Sequence, residues 1–319
     1  MTSSGLRVAI FADETGWHTT RLKRALQARG AQGRCVDLAD CRLDTTWAAH
    51  GLVIPGFGRD LPDAALVRGI AAGSFEQVTR RLGVLHALRE LGVPVYNDAR
   101  GIERSVDKAM TSFLLHARGL PTPATWAGES PAQARRTVMR ETAAGRSLVL
   151  KPLFGSQGHG LQRVGQVEGE PVPLPDDLSP RAGYGDLPYL QRFVPPAGEP
   201  GFDWRVLVVG GRALTAMRRV SRHWIHNVAQ GARCVAAELT PELAQLAERA
   251  SAALELDYAG VDLMPDPQGQ QGLQVIEVNG VAAWRGLQSV SRVDIAQCLV
   301  DDLLERRLGV RMAGAPRAA

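Results

Sequence analysis

Lysine is nearly absent from this chain of 319 residues: of 37 Lys and Arg, only Lys23, Lys108 and Lys151 are lysine. Where arginine has taken almost every basic position, a surviving lysine marks a place where a compact ammonium does what a planar guanidinium cannot. Lys151 stands directly before Gly155-Ser156-Gln157-Gly158-His159-Gly160. A glycine-rich loop of this kind can wrap backbone N–H groups around phosphate. It is neither a Walker loop nor a Rossmann fingerprint, and alone it also reads as a plain hairpin turn. The preceding lysine favours phosphate. Oxygen donors follow: Asp262 in GVDLM, and Glu277 and Asn279 in VIEVNG. Alternate strand residues share a face, so Glu277 and Asn279 point the same way and Asp262 can join them from a neighbouring strand. Two carboxylates and an amide oxygen suit Mg²⁺, a hard ion that takes few protein ligands. The rival reading is a row of solvent-facing polar residues. Against it, Val261, Leu263, Ile276 and Val278 are expected to pack the opposite face. Arg205, Arg218 and Arg219 carry forks suited to carboxylate or phosphate, although each is one arginine among many.

These residues need elements to carry them. Leu6–Phe11, Cys35–Leu38, Leu52–Ile54 and Val93–Tyr96 read as strands alternating with helices at His18–Arg29 and Ser74–Leu91. That alternation implies a parallel sheet flanked by helices. On the second helix Phe75, Val78, Leu82, Leu85 and Leu88 fall on one face, after a Ser74/Gln77 capping box. Ser105–Arg118 reads as one helix and Leu148–Lys151 as a strand. Residues 165–188, rich in Pro, Gly and Asp, show no periodic element and read as a connection or mobile segment. Tyr189–Val194 is a strand. Trp204–Val209 and Ala213–Arg218 form a hairpin around Gly210-Gly211. Thr240-Pro241 opens a helix. Gly260–Met264 and Leu273–Asn279 pair through a Gln/Gly turn, and Asp294–Leu308 is a last helix. The expected fold class is α/β, becoming α+β in the C-terminal part, with units at 1–101, 102–187 and 188–309 and a disordered tail at 310–319.

Composition narrows the function classes. Hydrophobic residues are 45% and charged residues 22%, the values of an ordinary globular chain. No apolar run has the ~18 residues of a membrane span, and the N-terminal run is too short for a secretory signal, so a soluble cytoplasmic protein is expected. Cys35, Cys41, Cys234 and Cys298 are scattered and read as reduced thiols. A net charge of +4 is a poor argument for nucleic acid. Homo-oligomerisation is left open.

The ordered motifs VDKAMTSFLLHARGLPTP, LVLKPLFGSQGHG, YLQRFV, FDWRVLVVGG, AMRR, HNVAQGA, AGVDLM and VIEVNG resemble the ATP-grasp superfamily over about residues 90–290. Within it they are most similar to the glutamate-adding ligases that include the ribosomal-protein glutamate ligase. The segment RGIAAGSFEQVTRRLGVLHALRELGVPVYN, Arg68–Asn97, is more similar to ligases that glutamylate tetrahydromethanopterin and related cofactors. The resemblance implies an ATP-grasp fold behind an N-terminal parallel-sheet pre-ATP-grasp domain. It places Lys108 and Lys151 on ATP phosphates under the loop Gly155, Ser156, Gln157, Gly158, Gly160. Gln191, Arg192, Phe193 and Val194 then form the hinge beside adenine, and Glu199 a loosely aligned ribose contact. Arg205, Arg218 and Asn227 fall near the reacting acyl phosphate. Asp262, Glu277 and Asn279 become ligands of Mg²⁺, or of Mn²⁺.

The chain departs from the family in two places. Arg192 stands where relatives commonly place an acid. After Asn279 the usual Pro-Gly turn is replaced by Gly280-Val281-Ala282-Ala283-Trp284-Arg285-Gly286. The implied activity is ATP-dependent carboxylate–amine ligation through an acyl phosphate, joining an amino acid, glutamate by resemblance, to a small-molecule cofactor carboxylate of the one-carbon-carrier kind. In such a pocket Arg218 or Arg285 would meet the glutamate carboxylates and Trp284 a flat ring; the alternative is that Trp284 is simply core and Arg285 simply solvated. Two alternatives stand beside it: glutamylation of a protein C-terminus, and an ATP-binding protein without turnover.

Overall fold

A computed structural model describes residues 5–155, 157–266 and 272–310. The expected tail, the turn at 267–271 and Ser156 lie outside, or in the tail's case almost wholly outside, the described residues. The chain opens with β1 (Arg7–Phe11), α1 (Trp17–Ala28), β2 (Gln32–Val36), the small antiparallel pair β3 (Arg42–Leu43) and β4 (Leu52–Val53), then β5 (Ala64–Val67), α2 (Phe75–Glu90) and β6 (Val95–Tyr96). Strands β2-β1-β5-β6 form a parallel sheet. The expected strand at Leu52–Ile54 is therefore real but pairs outside this sheet. Its place is taken by Ala64–Val67, buried on both faces and too short and uniformly apolar to show a period. One face packs on α1, the other on Val84, Leu85 and Leu88 of α2. Phe75, at the first turn of α2, is 82% exposed, so the buried stripe starts only at Arg81, whose guanidinium closes on Ala71 and Ala72 carbonyls.

The expected single helix at 105–118 is two, α3 (Ala99–Val106) and α4 (Lys108–Ala117). Asp107 breaks them by accepting from the amides of Ala109 (2.8 Å) and Met110 (3.0 Å), an N-cap that puts Lys108 at the first helical position. Then follow β7 (Thr125–Ala127), α5 (Pro131–Ala143), β8 (Ser147–Lys151), β9 (Gln162–Val167), β10 (Glu170–Val172) and β11 (Tyr189–Arg192). They make an antiparallel sheet, β10-β9-β8-β11-β7. Residues 165–188 are thus ordered: a hairpin, then a segment whose Leu174, Leu178 and Tyr184 are buried beside α5. Three widely spaced anchors leave no periodic trace.

The last unit is β12 (Gly201–Val209), β13 (Arg212–Ser221), β14 (Arg233–Ala237), α6 (Pro241–Ala253), β15 (Tyr258–Pro265), β16 (Leu273–Asn279), α7 (Arg285–Gln288) and α8 (Ile295–Asp302), followed by a π-helical turn at Leu303–Arg307. Its antiparallel sheet runs β14-β13-β12-β15-β16. Strand β14 has no counterpart in the sequence reading, because its alternation is weak. Helix α6 covers Val206, Val208, Val261, Leu263, Val275 and Val278. Helix α8 instead reaches back to α1, joining the first and last sheets in one core with Leu22, Leu26, Ile295, Leu299 and Leu303. No helix among the described residues is long and apolar enough to cross a membrane.

Asn97 fixes how these two sheets meet. Its buried side chain donates to the carbonyls of Tyr258 (2.7 Å) and Gly280 (2.6 Å) and accepts from the amides of Asp257 (2.5 Å) and Tyr258 (3.0 Å). The start of β15 and the end of β16 are thereby tied to the N-terminal sheet. Each buried group left unpaired costs roughly 1–3 kcal/mol. Asn97→Ala is expected to lose about 3 kcal/mol or more and to lower Tm by about 5 °C or more, read by thermal melting; an unchanged Tm would remove Asn97 from this role.

Candidate active site

Two lysines come together across the central cleft. Lys151 ends β8 and donates to Gln191 Oε1 (2.6 Å), while Lys108 donates to the carbonyls of Leu153 (3.3 Å) and Gly155. Desolvation lowers the pKa of both ammonium groups, that of Lys151 to about 8, with Glu277 opposing in each case. The loop folds over them. Gly158 and Gly160 take positive φ of 75° and 70°, and a Cβ on Gly158 would sit 2.7 Å from Asn227 Oδ1. The loop is held from outside by Gln230 on the Gln157 carbonyl (3.3 Å) and by the Tyr184 hydroxyl on the Gly160 carbonyl (2.9 Å).

Facing the lysines is the C-terminal sheet, whose register sets a row of charges. Arg205 on β12 lies across from Asp262 on β15, which lies across from Glu277 on β16; Asn279 is opposite Gly260. Arg205 binds Asp262 with Nε and Nη2, each at 2.6 Å. Arg219 binds Asp203 at 2.8 and 2.5 Å and reaches Asp262 at 2.9 Å. Burial would raise the Asp262 pKa, but the two guanidinium groups outweigh it and hold the carboxyl below its ordinary range. Asp203, with burial dominant and Asp262 beside it, is pushed up. Burial and Arg219 drop His226 to about 4, so that ring is neutral.

Arg218 is not part of this row. It lies across from Trp204, with its guanidinium 5.2 Å from the Phe202 ring on the opposite face. Arg219, one residue on, takes the cleft position. Period two explains the exchange: Asp203 and Arg205 share a face, and their cross-strand partners are Arg219 and Met217. Ile276 also departs from expectation. A register shift sets Asp262 opposite Glu277 but Leu263 opposite Val275, so Ile276 is the extra residue of a bulge and lines the cleft while Val275 and Val278 enter the core.

Three cavities meet here. Lys108, Lys151, Gly155, Gln157 and Gly158 line the first; Val149, Gln191, Phe193, Val194, Trp224 and Met264 line the second. The third, about 1040 Å³, is walled by Arg205, Arg219 and Asn279 and by residues of the N-terminal unit. Glu277 and Asn227 border all three. In the second cavity Gln191 Nε2 and His226 Nε2 are buried without a partner among the described residues, polar atoms left for a ligand. Glu199 is exposed and borders none of the three. Arg192 borders the second cavity, and its guanidinium is paired with Glu141 (2.8 Å). Trp284 is 1% exposed, packed between Trp17 and His18, and so is unavailable to a flat ring. A separate cavity of about 940 Å³ beside β7 holds neither lysine nor the Asp262–Glu277 pair.

Glu277 and Asn279 have oxygens free for a hard divalent cation, and Asp262, whose two oxygens accept from Arg205 and Arg219, can add only an oxygen shared with a guanidinium. The Asn279 amide nitrogen is spent on the Gly260 carbonyl (3.3 Å), leaving its oxygen as the free donor, and Glu277 has no hydrogen-bond partner among the described residues. Two carboxylates and one amide oxygen are a small set, as Mg²⁺ requires.

Two family models match the chain. A RimK pre-ATP-grasp domain model matches residues 6–102, and a RimK-like ATP-grasp domain model matches residues 105–303. The chain belongs to the RimK-like ATP-grasp family. It is 32% identical over 301 residues to the tetrahydromethanopterin:alpha-L-glutamate ligase of Methanococcus maripaludis, covering 94% of this chain and 98% of that one. To the ligase of the same description from Methanocaldococcus jannaschii it is 35% identical over 248 residues, 76% of this chain and 79% of that one. Its fold is that of the ATP-grasp ligase PsnB complexed with minimal precursor, Mg and ADP: TM-score 0.67, 21% identity, 94% of this chain and 97% of that one.

Two measurements probe the site. Arg219→Ala strands Asp203, leaves Asp262 with Arg205 alone and is expected to cost about 3–5 kcal/mol in urea unfolding, whereas Arg218→Ala loses an exposed-side cation–π contact of about 1 kcal/mol. Equal losses would contradict the assignment. The Lys151 ammonium is charged below about 8 and neutral above it. ADP affinity, followed with a fluorescent nucleotide, is therefore expected to fall as pH rises through that value. In Lys151→Arg the pH step disappears, and affinity at neutral pH drops roughly 10- to 150-fold with the lost charged hydrogen bond. A pH-independent wild type would refute this role.

Proposed function

We propose that this chain is an ATP-dependent carboxylate–amine ligase that adds glutamate to a carboxylate of a small-molecule cofactor of the tetrahydromethanopterin type. The observation carrying the reading is the junction at Glu277 and Asn227, where the lysine-lined cleft opens into the large arginine-walled cavity. The relatives described as tetrahydromethanopterin:alpha-L-glutamate ligases support the acceptor class.

The chemistry follows from the charges. Hydroxide is a poor leaving group, so the carboxylate must first be activated. Lys108 and Lys151 hold the ATP phosphates beneath the glycine-rich loop, and the Gln191–Val194 hinge borders the adenine. The γ-phosphoryl group passes to a carboxylate oxygen, giving an acyl phosphate and ADP; catalysis here is positioning and charge stabilisation. A Mg²⁺ held by Asp262, Glu277 and Asn279 supplies charge neutralisation, and Mn²⁺ suits the same oxygens. Arg205 spends Nε and Nη2 on Asp262, which leaves Nη1 for the acceptor. The glutamate amine then attacks the carbonyl carbon, Arg205 and Arg219 stabilise the tetrahedral oxyanion, the bond from that carbon to the phosphate oxygen breaks, and phosphate leaves with the proton the amine gives up. Asn227, between the loop and both cavities, contacts the transferring end. No enzyme nucleophile is required.

The test is to supply Mg²⁺–ATP and glutamate with size-fractionated cell extracts and follow ADP. Glutamate-dependent ADP release with a small-molecule fraction, yielding a product heavier by one glutamyl group, is expected. ADP release only with a protein fraction would instead assign protein glutamylation, and none with any fraction would favour a binding protein.

A further inference from the structure

The large cavity is electrically unbalanced at the end built by the N-terminal unit. Arg205 and Arg219 are each paired with a carboxylate, but Arg68 and Arg285, in the same cavity, form no ion pair among the described residues. Both are held in place by other means. Arg68 follows β5; its amide donates to the Phe11 carbonyl (2.7 Å), and Nη1 reaches across to the Val281 carbonyl (3.2 Å). Its Nε is buried with no hydrogen-bond partner among the described residues. Arg285 opens α7 with its guanidinium 6.0 Å from the Trp17 ring, and Trp17 leans on the buried Trp284 at 4.8 Å. Both guanidinium groups line the same cavity, Arg68 reaching the segment that carries Arg285, and after burial each lowers the pKa of His18. Asp13, the acid in this part of the wall, is exposed and makes no ion pair with either. Ile70, Ile102 and Val281 supply apolar wall beside them.

Two positioned guanidinium groups without counter-ions call for two anionic groups. A fork binds carboxylate through paired N–H donors, and a neutral amide in its place would turn its own N–H toward them. We propose that Arg68 and Arg285 are the arms of a carboxylate clamp that selects a dicarboxylic amino acid as the amine donor, one guanidinium on each carboxylate. The proposal deepens the ligase reading and rests on it. The Gly280–Gly286 segment, where the chain departs from its family, thereby contributes to donor selection: its Val281 carbonyl anchors Arg68 and its Arg285 forms the second arm.

Equilibrium dialysis of radiolabelled L-glutamate against the full chain with Mg²⁺ and a non-hydrolysable ATP analogue tests it, with L-glutamine as the neutral isostere. The wild type is expected to bind glutamate at least about tenfold more tightly than glutamine, a difference of about 1.4 kcal/mol. Arg68→Gln and Arg285→Gln should each weaken glutamate by about tenfold or more, leave glutamine nearly unchanged and leave nucleotide binding intact. Arg136→Gln, on an exposed helix face, should change nothing. If Arg68→Gln loses nucleotide binding through misfolding, Arg68→Lys, which keeps the charge and loses the fork, replaces it. Wild-type indifference between glutamate and glutamine, or equal weakening of both by the variants, overturns the clamp. Failure to bind the nucleotide at all overturns the ligase reading instead, so the two failures are distinguishable.

Discussion

Four charged side chains, Arg205, Asp262, Arg219 and Asp203, form a buried chain across three strands, and the rest of the site is arranged around it. Removing charges from water is costly, and the cost is met only when geometry and hydrogen bonding are nearly complete. Here both Asp262 oxygens and both Asp203 oxygens are taken by guanidinium N–H groups. The network therefore demands the registers of β12 with β13 and of β12 with β15. A one-residue slip on either side would carry a charge into the apolar face against α6. With those registers set, Glu277 is brought beside Asp262 and toward the lysines, and no carboxylate of the four remains to balance Arg68 or Arg285.

The second constraint is the seam between the first and last sheets. Asn97 ties the start of β15 and the end of β16 to the N-terminal unit, and α8 against α1 closes the same seam with apolar contact. Next to it Tyr96 donates to Asp302 (2.7 Å), which Arg306 grips in turn. The large cavity lies along this seam, walled by strand residues Arg205, Arg219 and Glu277 and also by loop residues such as Gly69, Gln157 and Val281. The nucleotide side differs. There Lys108 is satisfied by the carbonyls of Leu153 and Gly155, and under the proposed function it exchanges those bonds for phosphate as the loop moves.

Much of this arrangement was legible in the sequence, for reasons that vary residue by residue. The scarcity of lysine pointed to Lys23 as much as to Lys108 and Lys151, and only the last two line the cleft, Lys23 being exposed on α1; the i, i+2 spacing picked out Glu277, which borders the lysine-lined cavity, and Asn279, which borders the large one beside it. The resemblance pointed to Arg218, whereas the register pairs Asp203 with Arg219 and sets Arg218 opposite Trp204 on the other face, because β13 runs on to Ser221 and register is a property of two strands. Ile276 was misplaced by a bulge, which alternation alone does not reveal. Trp284 carried a functional reading and proved to be core, since aromatic character does not say which way a ring faces. Arg68, Asp13, Asp203 and His226 were overlooked: none lies at a spacing that marks a site, and only the fold brings them to the cavities. The parallel sheet was legible from βα alternation, while β5 was hidden by its short, evenly apolar sequence.

The central claim is that the cleft activates a carboxylate by phosphorylation and joins it to an amine. The most direct measurement uses an acceptor whose carboxyl group carries heavy oxygen, and follows that label by mass spectrometry after one turnover with ATP and glutamate. The account predicts one labelled oxygen in the released phosphate and the other retained in the new amide. Label appearing in AMP, or unlabelled phosphate beside a formed amide, would contradict it.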